Sequence, residues 1–404
     1  MLKATSLVQA IFVCLLISLF CGALVLTYHY TNLIGSKYEN KIKLNQANES
    51  FFNFSVQNLG SKSNSEIITS FQGEFPQFNF SLEEKKWGVY TVLIASTYRE
   101  GDTISKSSIL GEVIKRDIPV LELAENNKPL KLGGDVKLFG DILVPYGDFE
   151  QIHINNQKNS ISRRGKNKKT DLTFKNNYLE DKNFIDFNSL MLKSLKEKVI
   201  QEFNKKTVFL SFSKTQRIDN QVLKGNIYIE SNDTVIFSKN NLIEDIIVKA
   251  PVVVFENEFR GNLQVYATNK IMIEKNVTLT YPSGLYMKSN NELISNEIVV
   301  DSLSVVRGNI IVDKLYVNFK YDNHLKLSKG TKVVGTIYCN GITEVEGTVF
   351  GGLVTKKLFL HTKSAEYENV LYNVELNTDK IPSDFCSYGR FLGGNPNYYE
   401  IKEL

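Results

Sequence analysis

The chain has 404 residues, 42% of them hydrophobic and 23% charged, which is enough for two or three domains with real cores and excludes a wholly disordered chain. Eight prolines exclude collagen or a proline-rich stalk, and four cysteines with four histidines leave little material for a thiol or metal enzyme. A net charge of +4 is small for a dedicated nucleic-acid binder, and 40 lysines beside 8 arginines and 40 asparagines match an A/T-rich coding sequence more than a selected anion site.

Residues Leu7 to Leu26 form an uncharged run in which Gln9 and Ser18 are the clearly polar side chains. At ~1.5 Å per residue it spans ~30 Å, the thickness of a bilayer core. Bulky Tyr28 and Tyr30 follow where a signal peptidase would need small residues, and they suit a membrane interface. A retained single-pass anchor over 1–30 is expected, with 7–26 in the lipid, in a bacterial cytoplasmic membrane. The body is expected to face the periplasm or exterior.

The stretch Lys3-Ala4-Thr5-Ser6-Leu7-Val8-Gln9-Ala10 resembles the start of type IV prepilins: a basic residue, Gly, an aromatic, Thr, Leu, an aliphatic, Glu, then an apolar helix. Lys3, Ser6, Leu7 and Val8 match that pattern, whereas Ala4 stands for the glycine, Thr5 for the aromatic and Gln9 for the glutamate. The resemblance implies processing between Ala4 and Thr5, and assembly guided at Gln9. An ordinary anchor helix explains the same residues.

Residues 31–60 keep helical spacing through Leu33, Ile34, Tyr38, Ile42, Phe51 and Phe52, and are expected to be a membrane-proximal helix or linker. A β-rich domain is expected over 61–221, with strands at Ile67–Thr69, Trp87–Ala95 and Ile118–Leu123. Trp87 is expected to pack in a core or interface. Within this domain, 158–169 reads as an exposed basic loop. Its Arg163, Arg164, Lys166, Lys168 and Lys169 are the candidate site for a polyanion; a solvated insertion is the competing reading. Apolar residues from Phe184 to Phe203 at three- and four-residue intervals predict an amphipathic helix over 184–204.

From 222 to 377 a weak repeat appears. Gly225-Asn226-Ile227-Tyr228-Ile229, Gly261-Asn262-Leu263-Gln264-Val265 and Gly308-Asn309-Ile310-Ile311-Val312 share one pattern, and shorter relatives start at Gly335 and Gly347. Between them lie many strands of three to five residues, among them Val252–Phe255, Ile271–Ile273 and Leu315–Val317. Short strands with tight polar corners predict a right-handed parallel β-helix-like solenoid. The segment Gly335–Leu376 also resembles the short-rung β-helices of bactofilins. An antiparallel sandwich would need hairpin turns, of which Asn340-Gly341 is the main example. Residues 378–404 are a tail or cap.

The fold class expected is therefore mainly β, with an N-terminal transmembrane helix. The sequence carries no nucleotide loop, His-Glu-x-x-His or Cys-x-x-Cys, so no catalytic, cofactor-binding or metal residues are assigned and no cofactor is expected. Cys339 and Cys386 are the one disulfide candidate in the body. Three functions follow: a non-enzymatic envelope protein with a structural or adhesive solenoid, self-associating or bound to envelope partners; a minor-pilin-like component of a pilus or secretion machine; and a carbohydrate-active β-helix enzyme resting on Glu244, Asp245, Glu256 and Glu258. A specific nucleic-acid partner is not expected.

Overall fold

The computed structural model describes residues 4–113, 118–154, 157–174, 189–192, 197–289, 296–314, 322–387 and 397–404. The strand expected at Leu315–Val317 lies outside these residues. The chain divides into two compact units, one formed by 1–83 with 95–106, the other by 84–94 with 107–404.

The first unit is built on one continuous helix, α1, from Ala4 to Asn58. It is long and apolar enough to cross a membrane. Its leading side chains are exposed, Leu7 at 67%, Leu24 at 70% and Ile34 at 69%. The hydroxyls of Ser18, Thr27 and Thr31 bond the carbonyl four residues back, which satisfies them inside the helix where no water is needed. From Leu44 the same helix turns apolar residues inward: Leu44, Ala47, Phe51 and Phe52 are buried.

A second helix, α2 (Asn64–Glu74), follows. Ile67–Thr69, expected as a strand, lies within it. The cause is a capping box: Ser63 and Glu66 satisfy each other's backbone N–H groups, so β-branched residues are carried into a helix already nucleated. Phe71 of α2 meets Phe51 and Phe54 of α1, each at 5.3 Å between ring centroids. A meander of β1 (Asn79–Trp87), β2 (Tyr90–Arg99) and β3 (Asp102–Val113) runs through both units. In the first unit, Thr97 Oγ1 lies 3.0 Å from the Asn48 amide, and the Lys106 ammonium sits 2.9 Å from Glu49 and 4.8 Å from the Phe52 ring centre.

The second unit is dominated by a closed parallel sheet around one apolar core. From Ser189 to Leu376 strands pair in register with ones further along the chain: 15 residues on at Thr343 and Leu358, 27 on at Ile298 and Leu325. One column of inward residues shows the stacking. Leu210, Ile229, Val248, Val265, Leu285, Ile310, Ile337 and Leu353 follow one another in register, and each is fully buried. Neighbouring strands cover one another's apolar residues around this core, which no single strand of this length could do alone.

The column then continues out of chain order. Leu353 pairs with Leu121, Leu121 with Ile142, and Ile142 with Asn167. Likewise Leu376 pairs with Leu138, and Leu138 with Arg163. Among the described residues, the strands Leu121–Leu123, Asp135–Phe139, Ile142–Val144, Ser160–Arg164 and Asn167–Lys169 are thus the last tiers of the sheet, stacked on residues 353–377. At the other end pairing runs across residue 221 without a break, Val199 on Leu223. Strand pairing draws no border there.

Three local expectations are corrected. The amphipathic helix over 184–204 is absent from its described residues, which form strands at Ser189–Leu192 and Lys198–Gln201. Tertiary pairing overrides a spacing that suited a helix as well as a short strand. The basic stretch 158–169 is not an open loop but two strands, Ser160–Arg164 and Asn167–Lys169, turned at Gly165. Asn340-Gly341 is no hairpin turn either; it lies inside the parallel strand Ile337–Val345. The described residues have one antiparallel pairing at the edge of this sheet, Phe359–His361 with Glu366–Glu368.

The glycine of the repeat has a steric origin. At Gly335 φ is +148°, and a Cβ there would lie 2.0 Å from the carbonyl oxygen of Gly308 in the tier before it. Only glycine lets the backbones approach this closely at a corner.

Candidate functional site

One outer face of the parallel sheet is not solvated. Tyr228, Ile247, Tyr266, Tyr286, Ile311 and Tyr338 form a buried stripe across successive tiers. Trp87, Tyr90, Val92, Ile94 and Ile109 of the meander cover it. This explains why the position between the two aliphatics of the repeat is Tyr228 in one copy and Ile311 in another: it faces a second apolar layer. Trp87, 3% exposed, packs edge-on to Phe203 at 4.9 Å.

Polar keys fix this layer. The Gln264 amide accepts from Val89 N–H at 2.9 Å and donates to the Trp87 carbonyl at 2.8 Å, so it captures the tight turn at Gly88. Trp87 Nε1 donates to the Asp245 carbonyl at 3.1 Å. Asp245 holds φ at +57°, its own N–H bonded to the Asn262 side chain. Its carboxylate, 7% exposed, accepts from Lys402 Nζ at 2.6 Å. Lys402 lies on the C-terminal strand Tyr398–Glu403, which pairs antiparallel with β3. Burial pushes the Asp245 carboxyl up from its ordinary range, and Lys402 acts against that shift. The 378–404 segment is therefore in part a strand of the covering layer.

The five basic residues are placed together at the last tier, but in different roles. Arg163 lies at an inward register position over Leu138, with its guanidinium 5.7 Å from the Phe149 ring centre. Arg164 is ion-paired with Asp379, and Lys168 with Asp141 at 3.0 Å. The Lys166 N–H and the Lys168 ammonium hold the Asp141 carboxyl below its usual range. Lys166 and Lys169 are exposed.

The carboxylates considered for catalysis are each engaged. Glu244 pairs with Lys224 at 3.2 Å, Glu256 with Arg217, and Glu258 with Lys239 at 3.1 Å. Sequence reading missed another cluster, Glu344 between His324 and His361, at 2.7 and 2.8 Å. His361 also reaches Glu366 at 3.2 Å, and Lys326 reaches Glu344 at 3.4 Å. These residues are far apart in sequence, and only the stacking of three strands joins them. Among the described residues no group of three or more His, Cys, Asp or Glu is arranged to hold a metal ion.

Cys339 and Cys386 are both buried and are not joined to each other by a disulfide. Burial pushes the Cys386 thiol up to about 11. Ala4, Thr5 and Gln9 all lie in the first turns of α1. No protein-family model, curated protein or solved structure matches the chain.

Proposed function

We propose that this chain is a membrane-anchored, non-enzymatic protein of a bacterial envelope, with its body outside the cytoplasmic membrane. The body is a right-handed β-helix-like solenoid used as a scaffolding or adhesive surface. The observation that carries the reading is α1. A single 55-residue helix begins with exposed apolar residues and ends with Phe51 and Phe52 fully buried, so the lipid anchor and the folded unit share one element. The in-register tiers, paired at separations of 15 to 27 residues, support the solenoid.

A second reading, a minor-pilin-like subunit, is favoured by the same helix. Its exposed apolar residues run from Leu7 to Ile42, about 50 Å at ~1.5 Å per residue, which is longer than a bilayer core. The part beyond the lipid is suited to packing in an assembly.

Fractionation tests the first reading. Full-length protein should stay with membranes through carbonate and high salt, and protease added to spheroplasts should digest the body. Release by carbonate, or full protection of the body, overturns it. The mass of the mature N-terminus separates the two: a chain beginning at Thr5 supports a pilin-like subunit, and an intact or Met-trimmed end excludes prepilin-type processing.

A further inference from the structure

We infer that Lys402 and Asp245 become joined by an intramolecular amide bond that ties the C-terminal strand to the parallel sheet. Three observations carry this, and none depends on the envelope reading.

The first is contact. Lys402 Nζ lies 2.6 Å from Asp245 Oδ2, with nothing between them. The second is rigidity on both sides. Lys402 is held by the antiparallel pairing of its strand to β3, opposite Ile109. Asp245 is held by its strand, by Trp87 on its carbonyl and by Asn262 on its N–H. Two reactants fixed in this way react as one molecule, with effective concentrations that free amine and acid never reach.

The third is the surroundings. The carboxyl is 7% exposed beside the buried Trp87, and its Oδ1 accepts no hydrogen bond of normal geometry. An ionised carboxylate is costly there, and the Lys402 side chain, 35% exposed, compensates it from one side. Transfer of one proton from the ammonium to the carboxylate removes both charges and leaves an amine against an acid. The raised Asp245 carboxyl fits that transfer.

The step balances without a co-reactant. The amine lone pair attacks the carboxyl carbon, forming the C–N bond. The C–O bond to one carboxyl oxygen breaks, and that oxygen leaves as water with one proton from the acid and one from the amine. The product is a neutral amide, with no oxidation or reduction. It would close a loop over residues 245 to 402 and prevent the last strand from fraying.

Peptide mapping of the full-length protein in detergent tests this. Trypsin should release a branched peptide of 240–249 joined to 391–404, lighter by one water than the two together, with no cleavage after Lys402. Lys402→Arg keeps the charge but not the primary amine, and should yield a linear 240–249 at full recovery. A native-like tryptic pattern elsewhere shows that this variant folds. Full recovery of linear 240–249 and 391–402 from the wild-type protein overturns the proposal.

Discussion

Gly335→Ala tests the stacking most directly. The added Cβ would sit 2.0 Å from the Gly308 carbonyl oxygen, where carbon and oxygen normally stay ~3.3 Å or more apart. That oxygen is backbone, so no side chain can swing aside; the two tiers must part locally by about 1 Å. The neighbouring ladder bonds, Gly335 N–H to Phe350 at 3.0 Å and Ile310 N–H to Thr336 at 3.0 Å, have no slack for such a move. Losing two bonds at ~1 kcal/mol each, with ~1 kcal/mol of strain at positive φ, gives a destabilisation of ~3 kcal/mol. The same geometry recurs one tier on, where a Cβ at Gly351 would lie 2.0 Å from the Gly335 oxygen. Urea unfolding of the full-length protein in detergent, followed by proteolytic susceptibility within 222–377, gives the readout. Gly73→Ala in α2, with nothing within 4 Å of its new Cβ, should instead be neutral or stabilise slightly. A Gly335→Ala protein within ~0.5 kcal/mol of wild type would refute the close tier contact.

Three further outcomes are expected. Val253, fully buried between Val235 and Ile271, should not accept Asp; limited proteolysis of Val253→Asp should cut first within 222–377. Burial pushes the Glu344 carboxyl up, but His324, Lys326 and His361 outweigh it and hold the carboxyl below 4.5. Its stabilisation is thus present above the ordinary carboxylate range and lost as pH falls through the lowered value, so Glu344→Gln should be less stable near pH 6 and match wild type in acid; a gap independent of pH would exclude the cluster. Cys386 and Cys339, buried thiols, should resist alkylation in the folded protein and react on denaturation; labelling at equal rates in both states would place them at the surface.

What the sequence could show followed from how local each feature is. The helix long and apolar enough to cross a membrane is a composition effect and was readable from Leu7–Leu26. The inward positions Val253 and Ile271 follow from period two within a short strand, and the glycine of the repeat marks a corner. The role of Ser63 and Glu66 was also local, a capping box overlooked because Ile67-Ile68-Thr69 favours a strand. The region 184–204 was ambiguous in principle, because Leu190, Val199 and Phe203 fit a helical period while short strands supply the same apolar residues. Two features were beyond local reading. The pairing of Leu353 with Leu121 joins distant parts of the chain in reverse order, and no residue at either site encodes the partner. The Glu344 cluster depends on such stacking and the Asp245–Lys402 contact on the docking of the C-terminal strand, so their members look like ordinary surface charges until the chain is assembled.

The placement of the basic residues yields a last prediction. A stack of parallel strands has two ends, and an uncovered end offers unpaired backbone and apolar side chains to another copy. At the last tier here, Ile161, Arg163, Asn167 and Lys169 occupy the inward positions over Val136, Leu138, Ile142 and Val144. All four residues beneath are fully buried. Three of the four covering residues are polar, which suits an edge of the sheet that must meet water. The basic character of 158–169 then closes the sheet, and polyanion binding is not needed to explain it. Replacing Arg163 and Lys169 together by Leu should leave the tiers folded, because Leu suits the surface beneath. It should also turn the end into an adhesive apolar edge. Sedimentation of the variant in detergent should show association that rises with concentration, while wild type does not. Neutralising Lys166 with Ala, at an exposed turn, should cause no association. If the double variant sediments like wild type, the end is not closed by these residues. If wild type instead binds an immobilised acidic polymer in a salt-sensitive way that the Lys166 variant loses, the polyanion reading replaces the cap.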